Sequence, residues 1–451
     1  MTSSSHEGLP APRRYWAVLA IWLAISMAVL DSSIANVALP TIAAELHAPA
    51  AVSIWIINAY QLAITALLLP FAALGDRIGY RRVYLPGLAI FIVGSVGCAL
   101  AHSLGTLIAA RMFQGIGAAG IMSMNAALVR GTYPHAMLGK GMGYNALVLS
   151  MAAAGGPGIA ALVLSIGNWP WLFLINVPLG IASIAIGLRA LPWSRGHRGR
   201  PNYVSAVLSA VALSTLVYGI ETAARGEPAR GVPMLAVALV SGTWLVRRDW
   251  HRHAPLLPLD LLRIPIFALS ILTSFTSFAA QMLALVVLPF LLQNVLGRGV
   301  VQIGLLMTLW PLAVGVTAPI AGRLADRYPA GLLGGIGLSA FALGLLALSL
   351  LDHSSGNADI LWRMALCGAG FGFFQSPNNR TMVTAAPHAR SGATGGMLAS
   401  ARLLGQTIGA VAVAAGFHWL GITAGTLLLR FAAAGAVVAA VISMLRLRIA
   451  K

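Results

Sequence analysis

Charge is scarce in this chain. Of 451 residues only 9% are Asp, Glu, Lys or Arg, and 11 of them are acidic. An ordinary soluble domain carries about a quarter. Cysteine is scarcer still: Cys98 and Cys367 are the only two, and both fall inside apolar runs. That excludes a disulfide framework and a cysteine metal site. No G-x-x-x-x-G-K-[ST] loop occurs, and "GKG" at 139–141 is not one, so no ATP-driven step is expected. The ten histidines are scattered, with only His251 and His253 close together in a basic linker. A metal centre or a membrane-embedded transferase would need clustered acids or histidines at one interface, so no metal, no cofactor and no enzyme are expected.

Hydrophobic residues, by contrast, make up 59% of the chain, and the mean hydropathy is +0.85. The pattern predicts an all-α integral membrane protein, because fourteen apolar runs are each long enough to cross about 30 Å of hydrocarbon. The predicted spans are 15–40, 51–74, 83–101, 104–129, 139–165, 169–191, 202–222, 231–247, 266–292, 301–323, 332–351, 359–382, 391–417 and 424–446. The opening "MTSSSHEGLPAPRR" is short and polar, and the first run ends in no signal-type cleavage site, so it is expected to be retained.

The net charge of +18 is topological. With the N-terminus in the cytoplasm, 22 of the 29 Lys and Arg fall in cytoplasmic segments or helix ends, among them Arg13, Arg14, Arg195, Arg198, Arg200, Arg247 and Arg248. Outer loops hold Arg225, Arg230 and Arg298. This asymmetry places both termini in the cytoplasm. No stretch is long enough for a basic soluble module, so nucleic acid is not an expected partner.

Three strings recur at nearly constant spacing. "LGDRIG" is echoed by "LADRYP", "ARMFQGIGA" by "WRMALCGAG", and "PHA" at 134–136 by "PHA" at 387–389. The second pair aligns Arg111 with Arg363. Such a duplication with small loop changes predicts two six-helix halves. Two further spans interrupt it, bounded by "PWSRGHRGRP" and "RRDWHRHAPLLP". The predicted organisation is a tail (1–14), a first bundle (15–192), linkers with two inserted helices (193–265), a second bundle (266–447) and a tail (448–451). Duplicated halves about an axis along the membrane normal are a transporter architecture, with a substrate site at the midplane.

Among the eleven acids, Asp31 alone lies deep in a predicted span, within "AVLDSSIANVALP". A carboxylate there costs roughly 2.5–3.5 kcal/mol on insertion scales, and such residues face a bundle interior or wet cavity. At 1.5 Å per residue its depth matches that of Arg111, which makes the two a candidate pair. Burial and a neighbouring guanidinium act in opposite senses on a carboxyl's proton affinity, so the pair could hold the acid near working pH. A fixed internal salt bridge is the plainer reading of Asp31, and a structural clamp that of Arg111. Aligning "ALP" at 38–40 with "VLP" at 287–289 puts Ala280 opposite Asp31, next to Gln281, so the second half carries no acidic twin.

Taken together, "LDSSIANVALPTIA", "GDRIGYRR", "RMFQGIGAAG", "GGPG" at 155–158 and "WPWLFLINVPLG" resemble the fourteen-helix drug:proton antiporters of the major facilitator superfamily over nearly the whole length. "FQSPNNRTM" and "SGATGGMLASARLLGQTIG" look most like quaternary-ammonium and viologen exporters. Departures are Ala72, at the first glycine of the loop motif, and Ala160 and Ala161 in helix 5; alanine is still small enough for close helix contact. The resemblance implies a major-facilitator fold in a bacterial inner membrane, working as a monomer, and export of lipophilic cationic drugs by alternating access. It also implies proton coupling at Asp31 and Arg111, with proton and cation competing for Asp31. It further implies a conformational latch of Asp76, Arg77, Arg81, Arg82, Asp326 and Arg327, and an antiporter segment at Gly155, Gly156, Pro157 and Gly158. Asn36, Trp55, Asn58, Tyr60, Gln61, Gln114, Gln281, Trp310, Phe374, Gln375 and Asn378 are candidate cavity residues, since aromatic faces and amides suit a lipophilic cation. Ordinary packing is the plainer reading for each of them. Export of one specific antibiotic or metabolite, import or uniport on the same fold, and a membrane-embedded transferase are the alternatives.

Overall fold

The structure, a computed structural model, describes residues 8–134, 137–193, 203–224, 226–249, 259–325, 327–385, 391–421 and 424–449. Asp326, Arg225, His251, His253, the core of both basic linkers and most of the two "PHA" strings lie outside these residues. Fourteen long helices are present: α1 (Ala11–Glu45), α2 (Trp55–Ile78), α3 (Tyr80–Ala99), α4 (Leu104–Thr132), α5 (Leu138–Ile166), α6 (Asn176–Ala190), α7 (Tyr203–Ala224), α8 (Pro228–Asp249), α9 (Pro265–Phe290), α10 (Val300–Leu324), α11 (Ala330–Leu348), α12 (Asn357–Ala385), α13 (Ser391–Leu420) and α14 (Gly425–Ile449). Short turns, Ala50–Ser53 and Pro170–Leu174, lead into α2 and α6. Because successive helices reverse direction, an even number returns the chain to the face where it began.

Helix α1 outruns its prediction at both ends. It starts on a proline-rich turn, where Pro12 needs no intrahelical N–H partner, and it runs straight through Pro40. Thirteen of the described spans are long and apolar enough to cross a membrane. The fourteenth, α12, has the length and lacks the hydropathy, because Arg363, Gln375, Asn378, Asn379 and Arg380 sit in it.

The duplication is visible in backbone contacts. A Cβ on Gly115 would strike the Tyr60 carbonyl, and one on Gly368 would strike the Trp310 carbonyl. Gly117 lies against the backbone of Phe91 and Gly87, and Gly370 against that of Phe341 and Gly337. The glycines are 253 residues apart and their partners 250. Both halves therefore press α4 or α12 onto its neighbours through the same two small residues, as membrane helices do where no hydrophobic effect drives their contact. Gly117→Ile and Gly370→Ile are expected to cost about 1–3 kcal/mol each by overpacking. Thermal unfolding of the purified protein checks this, and Gly105→Ile, in open space, serves as control.

The halves meet on the face opposite the chain ends. Val37, Ala38, Leu39 and Ile42 of α1 share one apolar cluster with Met282, Val286 and Leu288 of α9. On the flank, Gly304 of α10 abuts the Pro157 carbonyl and Ala161 of α5. Inserted helix α7 lies over a second flank, where Val217 packs with Leu62 of α2 and Val411 of α13.

Candidate functional site

Asp31 is 2% exposed and Arg111 fully buried. They form an ion pair through Arg111 Nη1 and Asp31 Oδ2. The other carboxylate oxygen, Oδ1, accepts from Gln114 Nε2 at 2.8 Å and from Asn176 Nδ2 at 2.9 Å. Gln114 Nε2 also donates to Ser95 Oγ at 2.8 Å, while its carbonyl oxygen accepts from Arg111 Nη1 at 2.6 Å. Arg111 Nε donates to the Ile56 carbonyl at 3.1 Å, and the guanidinium stacks 4.1 Å from the centre of the Tyr60 ring. Residues from α1, α2, α3, α4 and α6 thus close a cage around one carboxylate. The cage meets the condition for keeping a buried ion pair, since the atoms around it supply its remaining hydrogen bonds.

In the second half, the glycine contacts, 253 residues apart, put buried Met364 at the place of Arg111; Arg363, which the repeated strings set there, pairs with Asp359 on its own helix at 2.8 Å. It reaches no acid across the bundle among the described residues. Among the described residues the second half thus places no arginine at the site of Arg111, and the sequence alignment puts Ala280 opposite Asp31.

A central cavity of about 220 Å³ lies between the halves. It is lined by Asn36, Tyr60, Gln61, Gln281, Trp310 and Gln375, among the predicted cavity residues, and also by Arg402 and Gln406 of α13. Asp31 does not line it. Tyr60 belongs to both sites: the Arg111 guanidinium lies over its ring, it lines the cavity, and its hydroxyl donates to the Ala28 carbonyl at 3.1 Å. In this conformation Tyr60 separates the Asp31 carboxylate from the cavity.

Five predicted cavity residues lie elsewhere. Gln114 belongs to the carboxylate cage. Trp55 packs on Tyr218 of the inserted helix α7, ring centres 6.2 Å apart, because α7 covers that flank of α2. Asn58 is buried in α2 with neither amide atom paired to protein. Phe374 is buried against Phe371, at 5.7 Å, and it is Phe371 that reaches the cavity. Asn378 is taken up by Arg446, whose Nη1 donates to its Oδ1 at 2.6 Å. On α12, Phe371 and Gln375 are one turn apart and face inward; Phe374, a 100° step from Gln375, points into the bundle.

Asp326 lies outside the described residues; among the other latch residues the described contacts stay within the first half and its neighbouring helix α7, or within α10. Asp76 accepts from Tyr80 at 2.9 Å. Arg77 bonds the hydroxyl of Tyr203 on α7. Arg81 donates to the Leu191 carbonyl at 3.3 Å and lies over the Trp193 ring at 4.5 Å, with Arg82 5.9 Å from the same ring. Arg327 is exposed, and its amide closes the end of α10 on Leu324. Among the described residues no ion pair joins Asp76, Arg77, Arg81 or Arg82 to the second half. The cavity face is sealed on the side away from the chain ends, so the end bearing Asp76 has no need of a clasp.

Gly155, Gly156, Pro157 and Gly158 lie on α5 beside the seam with α1 and α10. Pro157 cannot bond the Ala153 carbonyl, and Ser33 Oγ of α1 donates to it instead at 3.2 Å. Gly156 lets Ser33 in, Gly158 faces Thr308, and Gly155 meets only Ile159 of its own helix.

Sequence reasoning passed over Ser95, Asn176, Arg402 and Gln406. Asn176 interrupts the apolar "FLINVPLG", and Arg402 stands well inside predicted span 391–417, so the depth criterion applied to acids would have found it among the bases. A guanidinium costs as much at that depth as a carboxylate.

Two pseudo-symmetric six-helix bundles around a midplane cavity, with an ionisable pair behind its wall, define a secondary transporter. The Major Facilitator Superfamily profile matches residues 21–410, and the chain belongs to that family. It is 52% identical to Uncharacterized transporter YebQ of Escherichia coli, over 98% of this chain and 97% of that protein. It is 30% identical to Riboflavin transporter RibZ of Clostridioides difficile, over 88% and 87%. To Multidrug efflux pump LfrA of Mycolicibacterium smegmatis it is 32% identical, over 90% and 82%.

Proposed function

We propose that the protein is a proton-coupled exporter of lipophilic aromatic compounds. It acts as a monomer in the bacterial cytoplasmic membrane with both termini inside, and needs no cofactor. The observation that carries this reading is the caged Asp31–Arg111 pair sharing Tyr60 with the cavity. Protonating Asp31 removes the charge that holds Arg111, and Arg111 carries Tyr60 on its face. A substrate pressing on Tyr60 therefore acts on the same contact from the other side. Coupling runs through this ring and α1, and alternating access follows as the seam between α1, α5, α9 and α10 opens and the face at Asp76 closes.

The similarity to LfrA supports efflux of several compounds. The similarity to RibZ, with Arg402 in the cavity, favours a second reading, a carrier for one metabolite. Quaternary-ammonium cations fit this cavity poorly, since its lining offers them a guanidinium and no carboxylate among the described residues.

Proteoliposomes carrying a pH-sensitive dye test the proposal with a panel of cationic, neutral and anionic aromatics. Transported compounds are expected to move protons in the opposite direction, and an imposed gradient of one pH unit is expected to drive about tenfold accumulation per proton exchanged. Accumulation unaffected by collapsing the gradient, with no proton movement, would end the coupling claim. The breadth of the accepted panel separates multidrug from single-metabolite transport.

A further inference from the structure

Four arginines set within the helix bundles, Arg111 and Arg446 buried and Arg363 and Arg402 half-buried, have surroundings that can be compared. Arg111 has Asp31, and Arg363 has Asp359. Arg446 has no acid but is held by neutral acceptors, Ser270 Oγ at 3.0 Å, Asn378 Oδ1 at 2.6 Å and the Ser443 carbonyl at 3.2 Å. Arg402 differs from all three. It lines the cavity and makes no hydrogen bond or ion pair with any described residue; its guanidinium lies over the Phe278 ring at 5.4 Å. The residues around it include three amides, Gln281, Gln375 and Gln406, and Trp310, whose buried indole N–H also has no partner. Donors outnumber fixed acceptors on this wall.

We propose that Arg402 is the docking group for a carboxylate on an aromatic substrate, with the ring lodged against Phe278, Phe371 and Trp310. A guanidinium presents a planar fork of donors matched to a carboxylate, and a partner-free one in a low-dielectric cavity has five donors to fill. A structural cation would have its acceptors built in, as Arg446 does. Aromatic faces alone would suit a cation, but Arg402 already occupies the Phe278 face and repels a second positive charge.

The charge sign also bears on energetics, and here the inference rests on the exporter reading. Sending a monoanion out while one proton enters moves two charges in the direction the membrane potential favours. A dication leaving against one proton would move a net positive charge outward, against it. A single coupling acid therefore serves an anionic substrate better than a dicationic one.

Calorimetric titration of the detergent-purified protein tests the site independently of transport. The probes are a naphthoate, its methyl ester and a naphthylmethyl-trimethylammonium, which share one ring system. The wild type is expected to bind the carboxylate at least about tenfold more tightly than the ester, about 1.4 kcal/mol, with the ammonium weakest. In Arg402→Gln the carboxylate-to-ester ratio is expected to fall to within about twofold, while Arg402→Lys keeps part of it as a point charge. Arg230→Gln, an exposed residue paired with Glu227 at 2.9 Å, is expected to keep the wild-type ratio. Ammonium binding tightest in the wild type, or an unchanged ratio in Arg402→Gln, would overturn the assignment. Should Arg402→Gln fail to fold, the wild-type order and the Lys variant decide it. Arg402-dependent binding without proton-linked transport would sink the exporter reading alone, and proton-linked transport without an Arg402-dependent ratio would sink this proposal alone.

Discussion

Asp31→Asn is expected to abolish proton-driven accumulation while the protein still folds. One inward proton supplies about 2.3 kcal/mol per 100 mV and about 1.4 kcal/mol per pH unit, a ceiling of about 500-fold accumulation when both act. Removing the titrating group removes that factor. Taking one partner from a buried ion pair costs about 3–5 kcal/mol in general. Here the loss should be smaller, because Arg111 keeps the Ile56 carbonyl at 3.1 Å, the Gln114 oxygen at 2.6 Å and the Tyr60 face. The contacts that let the Asn variant fold are also those that would let the wild type take up a proton without collapse. Arg111→Met is the harsher change, since it strands a carboxylate with only Gln114 and Asn176 as donors, and it is expected to lose both stability and transport. The checks are accumulation under an imposed gradient, proton movement on substrate addition, and melting temperature. A folded Asn variant that moves protons as the wild type does would remove Asp31 from the mechanism.

Much of this arrangement was legible in the chain, for identifiable reasons. Thirteen of the fourteen spans follow from hydropathy because the bilayer demands a fixed length of apolar helix, and the length of α12 supplies the last. Depth along a span also follows from counting residues, and that count brought Asp31 level with Arg111 before any coordinates. Rotation about the helix axis does not follow. A membrane helix can be apolar all round, so nothing in "GFGFFQSPNN" says that Phe371 and Gln375 face the cavity while Phe374 and Asn378 face neighbouring helices. Trp55 was beyond reach for a related reason: its surroundings depend on where α7 docks, and neither inserted helix has a counterpart in the repeat. The latch illustrates a third limit. Asp76 and its arginines are placed at the turn between α2 and α3 by sequence, but whether they clasp the other half depends on which face of the transporter is closed. Arg402 was overlooked because, apart from Arg111 beside Asp31 and the arginines of the latch, basic residues were read for topology, although depth within a span identifies a cation as well as an acid.

Gly304→Val is expected to hold the transporter away from the conformation described here and to stop transport. A Cβ at Gly304 would stand 2.5 Å from the Pro157 carbonyl and 2.6 Å from Ala161 Cβ. Both neighbours are backbone or β-carbon atoms, so neither can swing aside, and α5 and α10 must separate. Overpacking of this kind costs about 1–3 kcal/mol, charged only to the state in which the seam is closed. Two conformations that differ by a few kcal/mol shift in population by about 5- to 150-fold under such a change. Val37, 2% exposed in the apolar cluster that closes the same face, provides the gauge. A cysteine introduced there should react with a bulky polar maleimide at least about fivefold faster in the Gly304→Val background, by that population shift. The native Cys98 and Cys367 are buried and contribute little background. Gly315→Val lies on the same helix with nothing within 4 Å of the added carbon, and it should label and transport as the wild type does. Equal labelling in the Gly304 and Gly315 variants would mean that the α5–α10 seam is no part of the gate. Faster labelling with transport intact would mean that the seam opens without limiting the cycle. The antiporter segment matters to this outcome through Pro157 itself, since it is the proline's carbonyl, on a helix already freed of one hydrogen bond, that Gly304 receives.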